Sequence, residues 1–319
     1  MRYSRWSSGQ HIILPGLFQS LFVAACAFGQ ANAGVIDHVR ILAKDMGVCQ
    51  NIYRNTLGFD LAHADAVVYE EGSSHNSARL GDGTYIELVG VSDREKLQES
   101  RPWIVDFLRE HQGLHSVGVL ASSAKAVSDH LQTSGIDVTT YNLTASRPGE
   151  KPIQIVTPKL ANLPDGAIFF LEYPPESLAR RRSLPPAVNT NSAQGILAVW
   201  IVVKDLSTSR KDAETLGFRF VRTLESQTLR ATGQEFETNL GNIVLLQGSI
   251  SDGPTARFIR DRSEGVMGLS LEVKDFVKTR ALIETNAGRS FAPYTGFYGK
   301  SFLIPAELSC GAWIEMVQK

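Results

Sequence analysis

The stretch ILAKDMGVCQNIYRNTLGFDL at residues 41–61 returns in altered form as IVVKDLSTSRKDAETLGFRFV at residues 201–221. In both copies an apolar, strand-like run is followed by Lys-Asp, a helix-length segment, Thr-Leu-Gly-Phe and a second strand-like run. Asp45 and Asp205 are suited to cap the helix that follows, because aspartate accepts hydrogen bonds from the free N–H groups of a first helical turn. Such internal repetition predicts copies of one folding unit.

Two looser copies of this pattern occur at residues 115–138 and 268–288, each with a strand-like run, a helix-length segment and a glycine in order. Each of the four copies is followed by further strand-like runs, among them TYIELVG (84–90), AIFFLEY (167–173), NIVLLQG (242–248) and AWIEMVQ (312–318). The sequence therefore predicts an α+β protein built from four βαβββ units.

A segment rich in Pro, Ser, Asn and Arg, residues 174–195, separates the second unit from the third. This composition is typical of an exposed linker, and we expect the run Arg180–Arg182 within it to be solvated. We predict four parts of the chain: a signal peptide at 1–33, a first domain at 34–175 that holds the site, a linker at 176–192 and a second domain at 193–319.

The N-terminal segment has the pattern of an export signal. Arg2 and Arg5 precede an apolar run at residues 12–28, and Ala31-Asn32-Ala33 follows as a small-x-small cleavage site. We therefore expect a periplasmic or secreted protein with no membrane span after cleavage. The sequence Val23-Ala24-Ala25-Cys26 resembles a lipobox, so a lipoprotein anchored at Cys26 is the alternative.

The composition limits the partners and the crosslinks. The 319 residues carry 32 basic and 33 acidic side chains, so no basic excess favours binding to nucleic acid. After cleavage, two cysteines remain, Cys49 and Cys310, and they fall in different predicted domains. We therefore expect packed thiols and no disulfide.

Ionisable residues occupy matching places in the first two units. Each unit has a histidine on its opening strand, His38 or His115, and a glutamate on its closing strand, Glu87 or Glu172. Isolated ionisable groups on apolar strands are costly to bury, whereas two imidazoles with one or two carboxylates are good ligands for a divalent transition metal. We predict a metal site formed by these four residues.

With its repeated units and these four positions, the chain resembles the vicinal oxygen chelate (VOC) superfamily, in its glyoxalase-like branch. The resemblance implies paired βαβββ modules that curl into half-open barrels, four modules in two tandem domains, with the metal held on first and last strands. The second domain departs from the pattern, because Ala198, Leu245 and Met267 stand at the positions of His38, Glu87 and His115. Only Glu315 matches, because it stands at the position of Glu172. We read the second domain as a degenerate copy.

The resemblance implies a metal-dependent lyase or isomerase that abstracts a proton from a small substrate whose vicinal oxygens are chelated to the metal. The metal would be Ni, Zn, Co, Mn or Fe. Glu172 is the first candidate for the base and Glu87 the second. Candidate substrate-binding residues, each with a packing, ion-pairing or solvated role as the alternative, are Arg40, Tyr85, His75 and Arg79.

Two other functions stay open at the sequence level. The first is an Fe(II) extradiol-type dioxygenase with His38, His115 and Glu172 as its triad. The second is a VOC protein that binds a small molecule without turnover. The sequence also leaves open whether the chain forms a homodimer.

Overall fold

The computed structural model describes residues 34–143, 151–248 and 252–319. The predicted signal peptide, with Cys26, lies outside the described residues. The described residues belong to one compact unit. None of the helices in the described ranges is long and apolar enough to cross a membrane.

The first half of the described chain contains two βαβββ units. The first unit comprises β1 (Val35–Leu42), α1 (Met46–Asn51) with its π-helical continuation (Ile52–Thr56), β2 (Val67–Val68), β3 (Ser73–Arg79) and β4 (Tyr85–Val91). Two helices, α2 (Arg94–Ser100) and α3 (Pro102–Glu110), lead to the second unit. That unit comprises β5 (Gly113–Leu120), α4 (Ala124–Thr133), β6 (Asp137–Leu143), β7 (Ile153–Lys159) and β8 (Ile168–Glu172).

The second half repeats this order after a short helix, α5 (Pro175–Arg182). The third unit comprises β9 (Ala193–Val202), α6 (Leu206–Thr215), β10 (Arg219–Ser226), β11 (Ala231–Glu237) and β12 (Asn242–Gly248), and α7 (Gly253–Arg262) follows it. The fourth comprises β13 (Gly265–Val273), α8 (Phe276–Ala287), β14 (Tyr294–Thr295), β15 (Lys300–Ile304), a 3₁₀ turn (Ala306–Leu308) and β16 (Trp313–Gln318).

The strands form two eight-stranded mixed sheets with the same topology. Their orders are β2-β3-β4-β1-β5-β8-β7-β6 and β10-β11-β12-β9-β13-β16-β15-β14. In the first sheet the opening strands β1 and β5 of the two units lie side by side and antiparallel, and each pairs in parallel with the closing strand of its own unit. The predicted α+β class and its four βαβββ modules in two tandem domains are confirmed.

The repeat predicted the helix ends correctly. The side chain of Asp45 accepts a hydrogen bond from the N–H of Val48, and that of Asp205 from the N–H of Thr208. The glycine of each Thr-Leu-Gly-Phe has positive φ, 75° at Gly58 and 90° at Gly217. Only glycine adopts this conformation at little cost, so the helix can end there and the chain can turn back to the sheet.

The two sheets share one apolar core. A single cluster of buried side chains includes Val39 and Ile41 from the first sheet and Val199 and Ile201 from the second. Each such fully buried side chain contributes about 1.5–3 kcal/mol of stability relative to an exposed one. The residues that pack in this cluster alternate along β1 with His38 and Arg40, so the face that carries His38 and Arg40 is turned away from the shared core.

Cys49 and Cys310 form a disulfide with a Cα–Cα distance of 5.8 Å, and the expectation of two separate thiols was wrong. Residues that fall in different domains of the sequence can lie side by side in the fold. Because the two sheets pack against each other, α1 reaches the turn before β16, and the hydroxyl of Tyr53 there donates a hydrogen bond to the carbonyl of Ser309.

The segment between the sheets is more structured than an exposed linker. It begins with α5, and Asn189 and Asn191 near its end are buried. Asn189 accepts a hydrogen bond from the backbone N–H of Asp60, and Asn191 donates one to the carbonyl of Leu57. Arg181 of the expected solvated run instead forms an ion pair with buried Asp37. A composition rich in Pro, Ser and Asn does not distinguish a free linker from a segment fixed by such polar contacts.

Candidate functional site

A cavity of about 390 Å³ opens on the face of the first sheet that carries His38 and Arg40. We call it the main cup. Among the residues that line it are His38, Arg40, His75, Tyr85, Glu87 and Arg181.

Glu87 of β4 lies at the centre of a charged network. Its Oε2 accepts a hydrogen bond from Nε of Arg40 at 2.9 Å, and its Oε1 lies 2.9 Å from Nδ1 of His75. Nε2 of His75 in turn lies 2.7 Å from Oγ of Ser73. Burial raises the pKa of Glu87, but Arg40 and His75 outweigh it and hold the pKa well below the ordinary value. Glu87 is therefore an ionised carboxylate with both oxygen atoms engaged.

Asp37 and His38 form a second charged group on β1. Nδ1 of His38 lies 2.8 Å from Oδ2 of Asp37, and Arg181 contacts Oδ1 of Asp37 at 2.9 Å. Burial raises the pKa of Asp37, but the hydrogen bond with His38 and the charge of Arg181 lower it overall. An ionised Asp37 favours the tautomer of His38 that is protonated on Nδ1. Nε2 of His38, 3.8 Å from Oε2 of Glu87, is then free to accept a proton in the main cup.

Aromatic side chains fix the ring of His38. It stacks on Tyr85 with ring centroids 4.5 Å apart and meets Phe169 of β8 edge-on at 5.4 Å. Gly118 makes this packing possible, because a Cβ there would lie 2.7 Å from Cε1 of His38 and 2.9 Å from Cζ of Phe169. The imidazole is held in one orientation by its neighbours.

Arg181 closes one side of the main cup. Its guanidinium lies over the rings of Tyr85 and Tyr173, at 5.0 and 4.4 Å from their centroids. The hydroxyl of Tyr173 donates a hydrogen bond to Asp37 at 3.0 Å and lies 3.2 Å from that of Tyr85. Burial raises the pKa of Tyr173, so its hydroxyl stays protonated and remains a donor.

The structure does not bring the four predicted metal ligands together. His38 and Glu87 meet in the main cup, but His115 lines a separate cavity. Glu172 accepts a hydrogen bond from the backbone N–H of Ala124, at the start of α4.

The strand register explains this correction. Leu42 pairs with Val89 in the first unit, and Leu120 pairs with Leu171 in the second, so the second-unit residues that correspond to His38 and Glu87 are Ser116 and Phe169. A register shift in β5 between Leu114 and Ser116 leaves His115 as an extra residue outside the regular alternation. Glu172 lies three residues after Phe169, and because side chains alternate along a strand, this odd number places it on the face away from the main cup.

The same register corrects the alignment of the second sheet. Trp200 pairs with Val244, as Arg40 pairs with Glu87, so Val244 and not Leu245 occupies the position of Glu87. Glu315 pairs with Ser270 and therefore also corresponds to Glu87, and not to Glu172 as the sequence alignment predicts. It is buried, and it accepts hydrogen bonds from Ser270 and Tyr294.

The four candidate substrate-binding residues all line the main cup. Arg40 and His75 hold Glu87, Tyr85 supports His38, and Arg79 donates a hydrogen bond to the carbonyl of Pro185. Their role toward a substrate stays a prediction. The sequence reasoning missed Asp37, Phe169, Tyr173 and Arg181. Asp37 could have been found as the acidic neighbour of His38, whereas no pattern in the sequence connects Arg181 to β1.

A model of the glyoxalase-like domain family matches residues 36–217, which is more than half of the chain. The chain belongs to this family. The predicted membership of the VOC superfamily is thereby confirmed. A comparison of this glyoxalase-like protein with curated protein sequences finds no match.

Solved structures of low identity resemble the glyoxalase-like protein over most of its length. A variant of 4-hydroxymandelate synthase from Streptomyces coelicolor has a TM-score of 0.65 at 12% identity, covering 90% of this chain and 93% of the other. A hypothetical protein from Staphylococcus aureus has a TM-score of 0.59 at 13% identity, covering 89% of this chain and 99% of the other. The 2,2',3-trihydroxybiphenyl 1,2-dioxygenase of Sphingomonas wittichii has a TM-score of 0.55 at 14% identity, covering 90% of this chain and 91% of the other. At these identities the likeness concerns the fold alone.

The donor atoms of this glyoxalase-like protein do not fit a divalent cation as they are arranged. Among the described residues, no group of three or more His, Cys, Asp or Glu side chains is placed to hold a metal. The nearest candidates are His38, His75 and Glu87, but Arg40 and His75 already engage both oxygens of Glu87. The permanent charge of Arg40 also opposes a cation at this place.

Proposed function

We propose that this glyoxalase-like protein is a lyase or isomerase that binds a small anionic carbonyl compound in the main cup and transfers a proton at the carbon beside the carbonyl. His38 is the base. The observation that carries the proposal is the Asp37–His38 pair, with Nε2 of His38 3.8 Å from the carboxylate of Glu87, which also lines the main cup.

The charges of the main cup support an anionic ligand. Arg40, Arg101 and Arg181 each contact a carboxylate, those of Glu87, Glu71 and Asp37. Arg79 also lines the cup, and it donates to a neutral carbonyl. The four arginines thus exceed the three carboxylates by one charge. The rest of the wall is partly apolar, with Leu143, Ile153, Ile155 and Leu171, which suits a ligand with a hydrocarbon part.

Proton transfer follows from the placement of His38. Nε2 takes the proton from the carbon, and the electron pair of the C–H bond moves to the carbonyl oxygen to form an enolate. The arginine charges of the main cup stabilise that oxygen, and Asp37 stabilises the imidazolium. Return of the proton to a neighbouring atom isomerises the substrate, and loss of a group from the next carbon makes the reaction a lyase.

Neither glutamate proposed from the sequence suits the role of base. Glu172 is the last residue of β8, and its carboxylate accepts a hydrogen bond from the N-terminus of α4, outside the main cup. Glu87 has a lowered pKa and two engaged oxygens, and a carboxylate with a lowered pKa is a weak base. Within the cup, Glu87 therefore positions Arg40 and His75.

The test is proton exchange in D₂O, followed by ¹H NMR, with pyruvate, 2-oxobutyrate and phenylpyruvate as probes. These compounds combine a carboxylate, a carbonyl and an acidic C–H. We expect wild-type protein to accelerate exchange at C3 of at least one probe. His38→Asn abolishes the acceleration and Asp37→Asn lowers it by about a hundredfold, whereas His130→Asn, at an exposed position on α4, does not change it. An equal rate of proton exchange with His38→Asn and with wild-type protein would overturn the proposal.

Two further results decide between this proposal and its alternatives. Binding of the probes without exchange overturns the proton transfer and favours the function without turnover, which the fully engaged Glu87 also supports. Metal analysis of the purified protein and of a His38→Ala/His75→Ala variant addresses the predicted metal. About one transition metal per chain, lost in the variant, would overturn a base mechanism without metal.

We also propose that the protein is exported. The apolar run at residues 12–28 supports export, and so does the disulfide between Cys49 and Cys310, because such bonds persist in oxidising compartments. Mass spectrometry of protein isolated from its native cells tests this. We expect an N-terminus at Gly34 and no free thiol. An intact N-terminus with free thiols would contradict export, and a lipid on Cys26 would contradict cleavage after Ala33.

A further inference from the structure

A second cavity, of about 270 Å³, lies on the same face of the first sheet, over its second unit. We call it the second chamber. Its lining includes Arg40, Trp103, His115, Ser116, Tyr141 and Phe169. Arg40 and Phe169 also line the main cup, and the guanidinium of Arg40 lies 4.8 Å from the centroid of the Phe169 ring. This pair separates the two cavities.

Two buried polar atoms of residues that line the second chamber have no hydrogen-bond partner. They are Nδ1 of His115 and Oγ of Ser116, which is itself 1% exposed. Buried polar atoms are nearly always paired, because the loss of hydration without a compensating bond is unfavourable. The two residues are neighbours in β5, and both line the second chamber.

The walls of the second chamber are partly aromatic, and Thr139, Thr157 and Asp165 complete them. His115 packs between Trp103 and Phe107, at centroid distances of 4.7 and 5.1 Å, and Cε1 of its ring would lie 3.2 Å from a Cβ at Gly166. Trp103 and Tyr141 are partly exposed, as side chains at the mouth of a cavity are. Burial, with the charges of Arg40 and Arg262, lowers the pKa of His115 to about 3. The imidazole is therefore neutral and can accept a hydrogen bond.

We propose that the second chamber binds a single aromatic ring that carries a hydroxyl group, with His115 and Ser116 as the partners of the hydroxyl. The hydroxyl donates to the imidazole and accepts from Ser116, while the ring stacks among Trp103, Tyr141 and Phe169. The volume suffices, since an apolar cavity of about 150 Å³ can hold benzene. The proposal does not depend on the reaction in the main cup, because it concerns binding at other atoms.

The test is a ¹⁹F NMR titration of the purified protein with 4-fluorophenol and with 4-fluorotoluene, which has the ring but not the hydroxyl. We expect 4-fluorophenol to bind more tightly. Ser116→Ala and His115→Phe each weaken its binding about three- to tenfold, the effect of one hydrogen bond, and change the binding of 4-fluorotoluene less than twofold. A purely structural disturbance would weaken both ligands alike, and that result would overturn the assignment of the two partners.

A matched pair of variants locates the binding. Thr157 of β7 lines the second chamber, whereas Thr140 on the adjacent strand β6 does not. Thr157→Phe fills the chamber and should abolish binding of both ligands, and Thr140→Phe should leave both unchanged. Wild-type binding that survives Thr157→Phe, or no binding of 4-fluorophenol at millimolar concentration, would overturn the proposal. His38→Asn should leave binding intact, so this result and that of the proton-exchange test are independent.

Discussion

At the scale of single residues, the ion pair between Arg40 and Glu87 makes a prediction about stability. Both side chains are largely buried, and removing one partner leaves the other charge uncompensated. We expect Glu87→Gln to lower the free energy of unfolding by about 3–5 kcal/mol at pH 7, measured by urea denaturation. Glu99→Gln, at an exposed position on α2, serves as the control and should change it by less than about 0.5 kcal/mol.

The same carboxylate predicts how that effect depends on pH. The pKa of Glu87 is lower in the folded protein than in the unfolded chain, so its stabilising contribution is complete above the unfolded pKa, about 4.3. It is lost as the pH falls toward the folded value. The difference in unfolding free energy between wild type and Glu87→Gln should therefore shrink below about pH 4. A difference that stays constant down to pH 3 would contradict the lowered pKa.

Residue identities alone predicted part of the site. His38, Arg40, Tyr85 and Glu87 do line one cavity, because alternation along regular strands places them on one face. His115 and Glu172 do not join them. His115 lines the second chamber, at the point where β5 breaks its regular alternation, and the face of Glu172 depends on how β8 pairs with β5. Neither feature is written in the local pattern of apolar and polar residues. A three-residue error in the alignment of β8 was enough to assign to the metal a glutamate that accepts a hydrogen bond from the first turn of α4.

At the scale of elements, α5 has a function that its composition concealed. It supplies Arg181, which contacts Asp37 and covers the rings of Tyr85 and Tyr173. Nothing in a Pro- and Arg-rich segment indicates which arginine turns inward, since that depends on the position of α5 against β1. The helix ends of the repeat were predictable, because Asp45 and Gly58 act on backbone groups a few residues away.

The placement of α5 predicts the effect of two neighbouring substitutions on ligand binding. Arg181→Lys keeps a charge beside Asp37 but loses the planar guanidinium that covers both rings, and we expect it to weaken binding of phenylpyruvate by about tenfold, or ~1.4 kcal/mol. Arg182→Lys, at an exposed position one residue later, should change binding by less than twofold. Isothermal titration calorimetry measures both. No loss with Arg181→Lys would mean that α5 acts only through its charge, and equal losses for the two variants would contradict the specific role of Arg181.

At the scale of the whole molecule, the two sheets belong to one compact unit. Their topologies are the same, as the repeat predicted, but the shared core and the disulfide were not predictable from it. The repeat defines each sheet through local order, whereas the packing of the sheets depends on contacts between residues hundreds of positions apart. No local sequence pattern indicates that Tyr53 contacts Ser309, or that Cys49 bonds to Cys310.

This organisation predicts that the sheets unfold together and that the disulfide stabilises both. Cys49→Ser/Cys310→Ser should lower the free energy of unfolding by about 2–5 kcal/mol, because the bond connects positions 261 residues apart and restricts the unfolded chain. Tryptophan fluorescence in urea follows the transition of the chain from Gly34 onward, which lacks Trp6, and Trp103→Phe leaves Trp200 and Trp313 to report on the second sheet alone. We expect one midpoint for circular dichroism and for this fluorescence, before and after removal of the disulfide, because the shared apolar core remains.

Two separate midpoints in the variant would mean that the disulfide, and not the core, couples the sheets. A reductant added to the variant is the control, and it should shift neither signal.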